Sequence, residues 1–181
     1  LCEHCPAGYF DDDSDPATPC YTNSSRCQPG TYSPRASTAC FTCVSGQYDH
    51  DSAPLTPCQA CHPGTYSAAQ QTSCTICAAG RIDDDEDPST ECVACEAGTY
   101  SPMGAVSCTD CPAGVPDVDS DPGTVCVDCV AGQYAAARST ECIDCAAGEY
   151  NDAGPGEPCK TCALGHYSAI RSTSCIQCLA G

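Results

Sequence analysis

Cysteine is the residue whose type and spacing could do chemistry in this chain. There are 22 cysteines among 181 residues, and they recur as C-x-x-C pairs, from Cys2/Cys5 and Cys40/Cys43 through to Cys175/Cys178. Three chemistries use that spacing. Two C-x-x-C pairs separated by roughly 15 residues make a zinc-ribbon ligand set, a single pair can be a thiol redox motif, and thiols in an oxidising compartment pair as disulfides. Zinc takes four ligands per site, yet the junctions number eleven, and one of them, Cys20/Cys27, has six residues between its cysteines, a gap that distorts a ligand knuckle. Thiol redox catalysis places one such motif at a helix N-terminus in a βαβ setting, whereas here the motif recurs between Gly-rich turns. The pattern favours disulfides.

Pairing the Cys that opens each unit with the next Cys along the chain closes ten similar loops: Cys5–Cys20, Cys27–Cys40, Cys43–Cys58, Cys61–Cys74, Cys77–Cys92, Cys95–Cys108, Cys111–Cys126, Cys129–Cys142, Cys145–Cys159 and Cys162–Cys175. Cys2 and Cys178 are left over. Spacing alone does not fix connectivity, and crossed pairing between neighbouring junctions stays open at this level. Each loop would remove about 3 kcal/mol of chain entropy from the unfolded state. That supply is needed, because Leu, Ile, Val and Phe together number only 19 and Trp is absent. Without cross-links, such a composition reads as disordered.

The elements that must position these cysteines form one internal repeat, C-x-x-G-x-[Y/F] followed by an arm and the next Cys. It runs through Cys5-Pro-Ala-Gly8-Tyr-Phe10, Cys27-Gln-Pro-Gly30-Thr-Tyr32, Cys43-Val-Ser-Gly46-Gln-Tyr48 and their successors, with Ile82 and Pro116 standing where the others have an aromatic. Arms alternate long and short. Long arms carry acidic runs such as Asp11-Asp12-Asp13-Ser14-Asp15 and Asp83-Asp84-Asp85-Glu86-Asp87, and short arms begin Tyr-Ser. The Gly fits a turn of positive φ or a close backbone approach, and the aromatic is a packing residue. Gly, Pro, Asp and Ser interrupt every apolar stripe, so short strands around each G-x-Y and little helix are expected. The expected fold is a small disulfide-rich one, an elongated solenoid-like rod of ~17-residue cysteine-rich repeats. Residues 1–181 read as one continuous array of about ten repeats cut at both ends, as in a piece of a longer chain. An insertion loop at residues 21–26 contains Asn23-Ser24-Ser25, the only N-glycosylation sequon.

Charge narrows the partners. With 24 acidic residues against 6 basic ones and a net charge of −18, nucleic acid and anionic membrane surfaces are repelled, and no apolar stretch is long enough to span a bilayer. Asp117-Val-Asp119-Ser-Asp121 has the spacing of hard-cation loops, although Pro122 stands where an EF-hand has Gly. A solvated acidic edge is the ordinary reading. A calcium reading would use Asp11, Asp13, Asp15, Asp83, Asp85, Asp87, Asp117, Asp119 and Asp121; no other cofactor is expected. The four histidines, His4, His50, His62 and His166, sit at unrelated phases of the repeat, and exposed acidic loops offer no apolar pocket to split carboxyl pKa values, so no enzymatic activity is expected. Ser33-Pro34, Thr18-Pro19, Thr56-Pro57 and Ser101-Pro102 suit either O-linked glycans or turn chemistry.

C-x-x-C-x-x-G-x-Y-S, then about eight residues and C-x-x-C, resembles the ephrin-receptor-like cysteine-rich repeat. It is also similar to the first module of tumour-necrosis-factor-receptor ectodomains, and more loosely to EGF-like repeats. The resemblance covers the whole chain. It implies that the Cys before G-x-[Y/F] pairs with the next Cys, which supports Cys5–Cys20 and its equivalents. The crossed-disulfide module that alternates with the first in those receptors is missing here. Uniform arrays with acidic arms look more like giant extracellular proteins of unicellular eukaryotes. The resemblance thus implies an extracellular, cell-surface structural segment: a disulfide-stapled, glycosylated rod serving as a spacer or as the protomer of a filament. Its partners would be neighbouring repeats or further copies, with glycans attached covalently. The alternative is the ligand-binding stalk of a receptor or adhesin.

Overall fold

The structure, a computed structural model, describes residues 5–11, 15, 18, 20 and 26–179. Among the described residues there are ten disulfides, the ten pairs given above, with partners 13 to 15 positions apart in the chain. Among the described residues there is no helix, and the strands are two residues long. The chain forms two compact units. One comprises Leu1–Cys77 with Asp83–Val93, the other Ala78–Ile82 with Ala94–Gly181.

Each repeat is built the same way. The opening Cys leads into a β-turn, as in Gln28-Pro29-Gly30-Thr31, where the Thr31 N–H donates to the Gln28 carbonyl at 3.0 Å and Gly30 sits at φ +80°. Pro at the second turn position and a positive-φ Gly at the third are the requirements of a type II turn. The chain leaves the turn as a short strand and loops through its arm. It then returns beside that strand, where the closing Cys meets the opening one. Thr31–Tyr32 thus pairs antiparallel with Phe41–Thr42 in the first unit, and Thr99–Tyr100 with Thr109–Asp110 in the second. The register puts each aromatic opposite the residue that follows the closing Cys, as with Tyr48 and Gln59 or Tyr134 and Ile143. The next opening Cys donates its N–H to the turn Gly, as Cys43 does to Gly30 and Cys111 to Gly98.

Pro116 shows what the strand requires. It lies fully buried where other repeats have Tyr, and its repeat has no regular ribbon. Proline has no N–H to give the ladder, so only the bond accepted by its carbonyl, from Val127 N–H at 3.1 Å, remains.

The interior is made of the cross-links. Among the described residues the buried apolar side chains are mostly half-cystines, joined by Pro54, Pro116 and Ala135. The aromatics Tyr32, Tyr48, Tyr66, Tyr100, Tyr134 and Tyr150 are half-buried, and many other apolar side chains, including Phe41, Val125 and Ile176, are exposed. Sulfur bridges therefore occupy the place that burial of Leu, Ile and Val takes in a larger domain.

Candidate functional site

The joints between successive repeats bring together most of the polar residues that the described chain buries. They use the position just after the aromatic. In short arms it is Ser33, Ser67, Ser101, Ala135 and Ser168; in long arms it is Asp11, Asp49, Asp83, Asp117 and Asn151. Ser33, Ser67, Ser101 and Ser168 are buried, and so are Asp49, Asp83, Asp117 and Asn151.

The serine works in both directions. In the first unit the Ser33 hydroxyl donates to the Tyr9 carbonyl of the repeat before it at 3.0 Å, while its N–H donates to the Pro54 carbonyl of the repeat after it at 2.9 Å. Its own carbonyl accepts the Gly8 N–H. Ser67 repeats the arrangement with Gln47, Pro88 and Gly46, and in the second unit Ser101 does so with Arg81, Pro122 and Gly80. Ala135 keeps only the two backbone bonds, to Pro155 and from Gly114.

The aspartate fastens the other side of the joint. Its N–H donates to the following short arm, as Asp49 does to Gln71 and Asp117 to Ser139. Its carboxylate accepts the turn-Gly N–H of the preceding repeat: Gly30 to Asp49 at 3.0 Å, Gly64 to Asp83 at 2.9 Å and Gly98 to Asp117 at 3.1 Å. Asn151 stands in for the acid in the ninth repeat. There its amide donates to the Gln133, Gly154 and Glu157 carbonyls, and its Oδ1 accepts the Ala153 and Gly154 N–H groups. Asp83→Ala is therefore expected to strand the buried Gly64 N–H. The variant should lose about 1–3 kcal/mol, with amide exchange at Gly64 accelerating first.

Beyond this first residue, the acidic arms are turns in their own right. Asp85 Oδ1 accepts the Asp87 N–H and the Thr90 hydroxyl, and Asp87 Oδ1 accepts the Ser89 N–H. Asp119, Thr124 and Asp121 repeat the pattern, with Asp121 receiving the Gly123 N–H. Asp51 does the same with Thr56 and Ala53. These donors hold the carboxyls of Asp51 and Asp119 below their ordinary value of 3.8, Thr56 being the main cause for Asp51 and the Asp121 N–H for Asp119. A carboxyl lowered in the folded state stabilises above its unfolded pKa and loses that contribution as pH falls through the lowered value. The arms should therefore keep their amide-exchange protection down to about pH 4 and lose it below.

The sequence-derived calcium set is thus divided. Asp83 and Asp117 are buried in joints; Asp85, Asp87, Asp119 and Asp121 bond to the arm backbone; the exposed Asp15 has its carbonyl in a turn with Thr18. Asp11 is half-buried, and Asp13 and the sequon residue Asn23 lie outside the described residues. Among the described residues, no group of three or more His, Cys, Asp or Glu converges on one point. Of the Ser/Thr-Pro pairs, the Ser33 and Ser101 hydroxyls are buried in joints and the Thr56 hydroxyl is held by Asp51 and Ala53, as turn chemistry has it, while Thr18 is exposed. Sequence reasoning missed Asp49 and the joint serines altogether. The signal was the alternation of Ser and Asp at the residue after the aromatic.

A shallow cleft of 350 Å³ beside Asn151, lined also by Gly132, Asp152, Pro155 and Thr173, offers one carboxylate, and that is taken by Lys160 at 2.7 Å. The architecture suggests a structural rather than a catalytic protein. Ten disulfides are consistent with a secreted or extracellular protein, and among the described residues no helix is long and apolar enough to cross a membrane. No protein-family model matches the chain, and no curated protein matches it. The chain is a disulfide-rich array of cysteine-rich repeats with one antiparallel strand pair in most of them.

Proposed function

We propose that this chain is a structural segment of an extracellular protein, a glycosylated rod that acts as a spacer or as the protomer of a cell-surface filament. The observation that carries the reading is the joint. Within each unit, successive repeats share backbone hydrogen bonds in both directions, as when Ala36 donates back to Cys5 while Ser33 donates forward to Pro54. A chain so stitched transmits load through its backbone and needs no large core, which suits a spacer. Most of the buried polar side chains among the described residues are used in these joints.

Small-angle scattering tests the reading. A compact 181-residue globule has a radius of gyration of about 16 Å; the spacer reading expects a value well above that, with the pair-distance profile of an elongated particle. Sedimentation velocity over a range of concentrations then separates a monomeric spacer from a protomer that self-associates. A radius near the globular value contradicts the proposal.

A further inference from the structure

In the third arm the charges do not close among the protein's own groups. Asp49 is 5% exposed; its Oδ2 accepts the Gly30 N–H, and its Oδ1 is buried with no hydrogen-bond partner. The next acid along the arm is Asp51, two residues on, whose carboxyl is held low chiefly by Thr56 and in part by its interaction with Asp49. Asp51 is held in its ionised form by the Thr56 hydroxyl at 2.7 Å and the Ala53 N–H at 2.9 Å, both on Oδ1. Its Oδ2 faces outward, 3.6 Å from Nε2 of a half-exposed His50. A dry carboxylate oxygen without a donor is costly, so Asp49 marks a place where a positive charge is missing.

We propose that Asp49 and Asp51 form a divalent-cation site of the calcium class, with the buried Oδ1 of Asp49 as the inner ligand and the outward oxygen of Asp51 as the second. Hard oxygen donors on a turn suit calcium, whose coordination is flexible; water completes the shell, and two carboxylates alone place the affinity near the millimolar end of protein sites. Asp117 and Asp119 hold the same positions in the second unit, where Asp117 is 4% exposed and accepts the Gly98 N–H; among the described residues the orphaned oxygen, and with it the site, is at Asp49. The ligands are therefore the acids at the first and third positions of the arm, Asp49 and Asp51. The acid at the fifth position of other arms, Asp87 or Asp121, caps a backbone N–H and takes no part. The site does not depend on the spacer reading.

Calorimetric titration of the oxidised protein with calcium chloride tests it, the metal alone being the probe. A saturable heat is expected within about 10 mM, the weak limit of extracellular sites allowing a tenfold margin. Asp49→Asn keeps an acceptor oxygen for the Gly30 N–H, so the joint should survive while the site is lost. Asp51→Asn, at the surface, should remove the same site without touching the joint. Asp87→Asn should leave the titration unchanged. Absence of a saturable heat, a titration indifferent to both Asp49→Asn and Asp51→Asn, or an equal loss in Asp87→Asn overturns the site; the last outcome marks diffuse attraction to the acidic edge.

Discussion

Reducing the ten disulfides under native buffer conditions is expected to convert the protein into a disordered chain. In most domains reduction removes a constraint from a structure that also has a core. Here most of the buried apolar residues are the half-cystines themselves, so the same step removes cross-link and interior together. Each arm loop is worth about 3 kcal/mol of unfolded-state entropy, and two-residue ribbons do not persist alone. The net charge of −18 further drives the reduced chain apart. Amide proton dispersion should collapse and amide exchange become uniformly fast. A reduced protein that kept protected amides at Gly30, Gly64 or Gly98 would show that the joints fold without the staples. Removing one bridge, for example by Cys111→Ser with Cys126→Ser, should instead loosen its own repeat and the ones it adjoins, because contacts in an array of this kind are local.

The second large effect is expected at Gly98. Its φ is +78°, and an added Cβ would press on the backbone of Arg138, with its Cα at 2.9 Å. Arg138 cannot retreat easily. Its N–H donates to the Cys111 carbonyl, and its guanidinium reaches Glu96 at 2.9 Å and Asp110 at 3.6 Å. Gly98→Ala should therefore destabilise by about 2–4 kcal/mol, combining left-handed strain with a backbone clash. Gly165 supplies the control. Its φ is +80°, and among the described residues nothing lies within 4 Å of a Cβ added there, so Gly165→Ala should cost only the conformational part, about 1–2 kcal/mol. Equal losses in the two variants, read from denaturant midpoints or from exchange at Gly98 and its neighbours, would mean that the approach of alternate repeats contributes nothing.

These two expectations differ in how far the residues alone led to them. The arm closures were legible because a cysteine has few fates and its spacing recurs almost without change. Gly98 was legible in kind, since a Gly fixed three residues after each opening Cys implies a special backbone conformation. That its neighbour is Arg138, two repeats onward, was not, because spacing says nothing about which arm folds over which turn. The joints were hidden for a different reason. Asp49, Asp83 and Asp117 sit in acidic runs whose other members are exposed, and residue type cannot separate a buried acid from a solvated one. Only the alternation with Ser33, Ser67 and Ser101 marks them. The Ser-Pro pairs stayed open for the same reason: a serine buried against a carbonyl looks, in sequence, like one open to a glycan.

The most direct test of the account is disulfide mapping of the native, non-reduced protein by proteolysis and mass spectrometry, with intact mass before and after chelation. The account predicts bridges between each opening Cys and the next, such as Cys43–Cys58 and Cys111–Cys126, a mass lower by two hydrogens per bond, and no zinc released on chelation. Crossed bridges between neighbouring junctions, or free thiols carrying chelator-labile zinc, would contradict it.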